Sequence, residues 1–229
     1  MPEVSQPDKN ILLGQLSRSQ RDSLLFPVER KYASRDGMFM HRDAYNAFLE
    51  MQNKAKEDGI ELIIISAFRD FDHQKRIWNN KWNGRQVLSG NIYATDIVNP
   101  VERAREILRF SAMPGTSRHH WGTDIDLNSL TNSYFESGKG KREYEWLVEN
   151  ASKFGFCQPY TPKGSERESG YEEEKWHWSF RPVSAPWLSF YQQQITYDDI
   201  SGFDGWETAR LLNVAEQYVL SVNEECMNP

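Results

Sequence analysis

The segment Ser117-Arg118-His119-His120-Trp121-Gly122-Thr123-Asp124-Ile125-Asp126 places two imidazoles and two carboxylates within ten residues. Imidazole nitrogen with carboxylate oxygen is a ligand set suited to a borderline cation such as zinc. A polar hairpin with solvated charges is the competing explanation. In an unbroken strand His119 and Asp126 would face opposite sides, while Asp124 and Asp126 share a face. For His119 and Asp126 to meet at one ion the chain must bend between them, and Gly122 is the residue that permits it.

A second segment, Glu172-Glu173-Glu174-Lys175-Trp176-His177-Trp178, sets a histidine between two tryptophans on an alternating, strand-like stretch. Partly dry surroundings favour the neutral imidazole, the form that ligates metals. A carboxylate three residues earlier stands where a general base beside an ion is needed. The competing explanation is a core histidine following a solvated acidic run. Ser66-Ala67-Phe68-Arg69-Asp70 ends a buried strand with an arginine placed to hold a carboxylate or an oxyanion, although a structural salt bridge is the commoner use. His41 and His73 lack such settings and read as surface residues.

These segments need elements to hold them. Ala44, Phe48, Met51 and Ala55 recur at helical spacing from His41 until Asp58-Gly59, and Leu62 to Ile65 within residues 61–66 reads as a buried strand. Residues 71–83 read as a helix with Ile77, Trp78 and Trp82 on the apolar side. Asn99-Pro100 starts another, over Val101, Ala104, Ile107 and Leu108. A helix over 142–154 ends at Gly155, a polar loop spans 159–171, and 176–180 alternates as a strand. Pro182 to Pro186 reads as a break, and Leu211, Leu212, Ala215, Tyr218 and Val219 read as an amphipathic tail helix. The first 40 residues read as a wrap or short helices. The pattern predicts one α+β domain with helical terminal additions.

The chain has 229 residues, with 27 Lys and Arg against 33 Asp and Glu, a net charge of -6 that argues against a nucleic-acid partner. Two cysteines among 229 residues exclude a disulfide framework and a Cys-rich zinc ribbon; Cys157 and Cys226 either pair or stay as two buried thiols, and burial statistics favour the thiols. No apolar run approaches the roughly 20 residues of a membrane span. The first seven residues have no signal-peptide pattern, so an envelope or periplasmic location is expected if a leader was removed and a cytoplasmic one otherwise.

In order, Ser66-Ala67-Phe68-Arg69 with Gln74, Pro114-Gly115-Thr116-Ser117 with His119, Gly122 and Asp126, and Glu174-Lys175-Trp176-His177-Trp178 resemble the zinc D-alanyl-D-alanine carboxypeptidase family of VanY-type and LdcB-type enzymes. Trp146-Leu147, Asn150-Ala151 and Phe154-Gly155-Phe156 match the family's helix and strand before its last motif. The resemblance implies a VanY-like zinc peptidase domain over 42–181, between an N-terminal extension, 1–41, and a C-terminal helical one, 182–229. A small antiparallel sheet would carry the site.

The resemblance also implies that His119, Asp126 and His177 hold one zinc ion and that Glu174 is the catalytic base. Arg69 becomes the group for an oxyanion or a substrate carboxylate, and Gln74 and Ser117 become substrate contacts. Asp124 and Lys175 depart from the family's usual small apolar residue and proline. Asp124 is expected to support a ligand or to compete for the ion, Lys175 to point away, and His120 to touch substrate or a ligand's neighbour. The implied activity is removal of the C-terminal D-amino acid from peptidoglycan stem peptides by a monomer. The alternatives are an L-alanyl-D-glutamate endopeptidase of the same family and a non-catalytic zinc-containing cell-wall binding module. Trp82, Trp187 and Trp206 are candidates for stacking on sugar or peptide, with core packing the default.

Overall fold

The computed structural model describes residues 6–165 and 167–228. The reading of the N-terminus as lacking a leader rests largely on residues 1–5, outside the described residues, and Glu166 of the polar loop is also outside them. Eight α-helices occur among the described residues: α1 (Lys9–Leu12), α2 (Arg18–Leu24), α3 (Arg42–Glu57), α4 (Phe71–Trp82), α5 (Pro100–Ile107), α6 (Gly138–Asn150), α7 (Arg181–Gln194) and α8 (Thr208–Leu211). The strands are β1 (Leu25–Pro27), β2 (Phe39–His41), β3 (Ile64–Ser66), β4 (Asp124–Leu127), β5 (Phe156–Cys157) and β6 (His177–Phe180). β1 and β2 form a small antiparallel pair, and the other four form an antiparallel sheet in the order β3-β4-β6-β5. This is the expected α+β architecture.

β4 and β6 fix the geometry of the centre. Their register sets Asp124 opposite Ser179, Ile125 opposite Trp178, and Asp126 opposite His177. Because side chains alternate along a strand, one face carries Asp124, Asp126, His177 and Ser179, and the other carries Ile125 and Trp178. The apolar face joins a core that includes Phe48 and Met51 of α3, Leu147 of α6 and Phe156 of β5. The predicted stripe of α3, Ala44, Phe48, Met51 and Ala55, is wholly buried.

Several elements differ from the sequence reading. The strand at 61–66 shortens to Ile64–Ser66, because the Asn128 side chain takes the Ile63 N–H at 2.7 Å in place of a ladder bond. The predicted break at Pro182 to Pro186 lies inside α7. Pro182 sits in the first turn, where no N–H donor is needed, and Pro186 forfeits one bond that packing outweighs. The tail helix is instead α8 followed by a π-turn over Ala215–Val219, parted at Asn213, which adopts φ 48°. His41 is buried, not a surface residue: Nδ1 accepts the Asp43 N–H at 3.3 Å and caps α3, and the ring meets Trp187 edge-on. His73 is half-buried.

Cys157 and Cys226 are joined as a disulfide, not left as thiols. Burial statistics concern a residue type and carry no information on proximity across 69 positions. The C-terminal segment returns to β5, where Asn223 N–H donates to Pro159 O at 2.9 Å, and this brings the sulfurs together. Of the three candidate stacking residues, Trp82 and Trp187 are core, and Trp206, 40% exposed, does not line the cavity described below.

Candidate active site

The first cluster is built on a bend. Residues Arg118–Trp121 form a 3-10 turn that ends at Gly122 with φ 70°, and β4 starts two residues later. The left-handed conformation favours glycine, and a Cβ here would lie 2.8 Å from the His41 backbone nitrogen. The turn changes the parity that an unbroken strand would impose, so His119 and Asp126 reach the same point.

The loop after β3 is stitched to this turn. His119 Nδ1–H donates to Ala67 O at 2.8 Å, Arg69 N–H donates to His119 O at 3.1 Å, and His120 Nδ1–H donates to Arg69 O at 2.6 Å. With Nδ1 committed, His119 turns the lone pair of Nε2 inward, 3.4 Å from Asp126 Oδ2. His120 accepts the Gly115 N–H at Nε2, 3.0 Å away, so both ring nitrogens are used in holding backbone. It is a strut beneath Arg69 and does not line the cavity. Burial lowers its pKa to about 4.

His177 enters from β6 opposite Asp126, and the tight turn before it brings Glu174 alongside. His177 Nδ1 lies 3.2 Å from Asp126 Oδ1 and 3.3 Å from Glu174 Oε2. Nε2–H points the other way and donates to Asp124 Oδ1 at 3.0 Å. Asp124 therefore meets His177 on the edge opposite Asp126 and Glu174. It is fully buried, takes a second bond from Arg118 Nε at 3.0 Å, and accepts from the Thr123 and Ser179 hydroxyls. Burial alone would raise its pKa, but Arg118 and His177 outweigh that and hold it well below the carboxylate range. Lys175 points away, its ammonium over the Tyr144 ring.

Ligand atoms of His119, Asp126 and His177 lie within 4.8 Å of one another, all three residues buried. Nε2 of His119 and Oδ1 of Asp126 have no hydrogen-bond partner, which is costly for buried polar atoms unless a cation takes them. Burial would lower the His177 pKa, but the nearby carboxylates of Asp124, Asp126 and Glu174 reverse the sign and raise it well above the ordinary value. The neutral imidazole expected from dry surroundings is thus disfavoured while three carboxylates face the ring. The donor set fits a divalent cation with nitrogen and oxygen ligands.

Glu174 is buried, and desolvation raises its pKa. Arg69 Nε and Gln74 Oε1 are buried without partners, while Gln74 Nε2 is anchored on Ala112 O at 2.7 Å. Arg69, Gln74, Ser117, His119, Asp126, Glu174 and His177 all line one cavity of about 610 Å³. Tyr160, Tyr171 and Lys81 line it as well and escaped the sequence reading. For Lys81 a signal existed in its helical spacing from Gln74 and Ile77; for the tyrosines, inside or bordering a polar loop, none did.

Comparison with known proteins agrees. The VanY D-alanyl-D-alanine carboxypeptidase family model matches residues 37–183. "Putative carboxypeptidase YodJ" of Bacillus subtilis is 31% identical over 154 residues, 66% of this chain and 49% of that protein. A D-alanyl-D-alanine carboxypeptidase of Enterococcus faecalis is 27% identical over 143 residues, 62% of this chain and 48% of that protein. The chain thus spans about half the length of these curated relatives. Among solved structures, VanYB in complex with D-Ala-D-Ala has a TM-score of 0.54 at 23% identity, covering 74% of this chain and 83% of that one. A VanY D,D-pentapeptidase mutant in complex with Zn(II) scores 0.51 at 23% identity, covering 76% and 94%. The LdcB LD-carboxypeptidase scores 0.55 at 22% identity, covering 86% and 80%. These structures share the fold, and the family match across residues 37–183 places the chain in the VanY D-alanyl-D-alanine carboxypeptidase family.

Proposed function

We propose that the chain is a zinc-dependent carboxypeptidase that removes the C-terminal D-amino acid from peptidoglycan stem peptides. The observation that carries this reading is the convergence of the unpartnered His119 Nε2 and Asp126 Oδ1 with His177 Nδ1, beside Glu174. His119, Asp126 and His177 would hold one zinc ion. When bound, the ion would supply Lewis acidity, lowering the pKa of a water towards roughly 7.

The protein's own groups do the rest. Glu174, raised towards the working pH by burial, takes the proton of the attacking water and passes it to the leaving amine. Arg69 donates to the developing oxyanion or to the substrate's terminal carboxylate, and its unpartnered Nε is free to do so. Gln74 and Ser117 position the peptide, and Asp124 fixes the rotamer and tautomer of His177 through Nε2.

We assign the catalytic unit to residues 42–181, acting as a monomer, with 1–41 and 182–229 as structural additions. The disulfide supports an oxidising compartment and hence the envelope. The test is incubation of zinc-loaded protein with purified tri-, tetra- and pentapeptide stems, followed by mass analysis. Loss of one terminal D-alanine is the expected product. Cleavage between L-alanine and D-glutamate would make the protein an endopeptidase, and unchanged stems would make it a binding module.

A further inference from the structure

The cavity continues past the metal-binding corner along helix α4. Gln74, Ile77 and Lys81 line it from this helix, spaced three and four residues apart on one face. Phe110 and Trp176, ring centroids 6.4 Å apart, give the cavity an apolar platform. The proposed reaction uses Arg69 and Gln74 and leaves Lys81 without a task.

Lys81 is unlike most lysines in this acidic chain. Lys9, Lys31, Lys54, Lys139, Lys141 and Lys163 each reach a carboxylate within salt-bridge distance. Lys81 is half-buried, donates to Ser111 Oγ, and has no carboxylate in salt-bridge range among the described residues. An ammonium has three donors, so two remain unassigned at the cavity wall. Arg69 also has no salt-bridge partner among the described residues, whereas Arg118, the third cation of the lining, is paired with Asp124; Lys81 feels both the repulsion of Arg69 and the attraction of Glu174. Asp126 and Glu174 line the same cleft but stand outside salt-bridge range of Arg69 and Lys81, so these two cations suit an anionic ligand with two charged groups.

Spacing sets where the second charge sits. Seven helical residues carry Lys81 about 10 Å beyond Gln74 at 1.5 Å per residue. An extended peptide covers that distance in about three residues.

We infer that Lys81 and Ser111 form a second anion subsite, which takes a free carboxylate borne by the stem peptide about three residues from the scissile bond. The enzyme then discriminates free-acid stems from amidated ones. This rests on the proposed peptidase reading. Two groups offer the same chemistry, the α-carboxylate of γ-linked D-glutamate and the side-chain carboxylate of a diamino diacid at the third position.

The test uses pentapeptide stems with each of these carboxylates free or amidated in turn. Turnover is measured with the zinc-loaded full chain, and affinity by calorimetry with Glu174→Gln, which needs no turnover. The expected result is a preference of about tenfold or more for one free acid, carried by KM and by the dissociation constant. In Lys81→Met and Lys81→Gln, both checked by thermal melting, the ratio falls to near one; the arm that shows it identifies the carboxylate. Equal affinity for free and amidated stems, or a ratio unchanged in both variants, overturns the subsite. Discrimination in binding without turnover would keep the subsite and overturn the peptidase reading instead.

Discussion

Removal of Asp124 tests whether the buried Arg118–Asp124 pair serves the fold, the metal site, or both. Both side chains are inaccessible to solvent, and Asp124 Oδ1 is shared between Arg118 Nε and His177 Nε2 at 3.0 Å each. Asp124→Ala leaves a buried guanidinium without a counter-charge, which costs about 3–5 kcal/mol. Arg118 keeps only the Ser179 hydroxyl, at 2.7 Å, and the Trp121 ring. The same change frees His177 to rotate and to take the wrong tautomer, lowering metal affinity by about 10- to 100-fold. Denaturant unfolding of the metal-free protein reads the first quantity, and zinc competition against a chromophoric chelator reads the second. Asp124→Ala combined with Arg118→Met separates them. Stability recovers in large part because no buried charge is left unpaired. Zinc affinity does not recover, because His177 Nε2–H still lacks its carboxylate. Zinc affinity in Asp124→Ala within twofold of wild type would refute the positioning role, and a double variant no more stable than the single would refute the electrostatic one.

Glu174→Gln should keep zinc at one equivalent by metal analysis while turnover of stem peptides falls by about 10²- to 10⁴-fold; undiminished turnover would remove Glu174 from its role. His120 gives a pH signature. Its folded pKa is about 4 against an ordinary 6.5, so its contribution is full above 6.5 and is lost as pH falls towards 4. The loss amounts to about 3 kcal/mol across that window. The metal-free wild-type protein should therefore lose stability over this range relative to His120→Gln, and parallel pH profiles of the two urea midpoints would contradict the assignment.

The parts of the fold legible in the sequence were those governed by local periodicity and caps. α3 has its apolar stripe at helical spacing, α5 has Asn99 accepting from the Val101 and Glu102 N–H groups ahead of Pro100, and the turn after α6 ends at Gly155 with φ 80°. Each depends on residues within about one turn of one another. The prolines of α7 were misread because their meaning depends on position within the helix, which composition does not supply. His41 was misread because its burial comes from Trp187, far along the chain.

The chemistry divides the same way. Residue types and spacing pointed to a His and carboxylate donor set, and motif order singled out His119, Asp126, His177, Glu174 and Arg69, which the fold brings to one cavity. Strand parity alone could not place His119 with Asp126; the left-handed Gly122 and the Ala67 carbonyl on His119 Nδ1 do so. Whether Asp124 binds, competes or supports depended on which edge of His177 it meets, a matter of the β4–β6 register. The cysteine pairing and the position of Lys81 in the cavity likewise arise from segments brought together by folding. Sequence determined which groups are available, because ligand chemistry belongs to side-chain type. Tertiary structure decided which lone pair faces which neighbour, because that is set by contacts between residues distant in the chain.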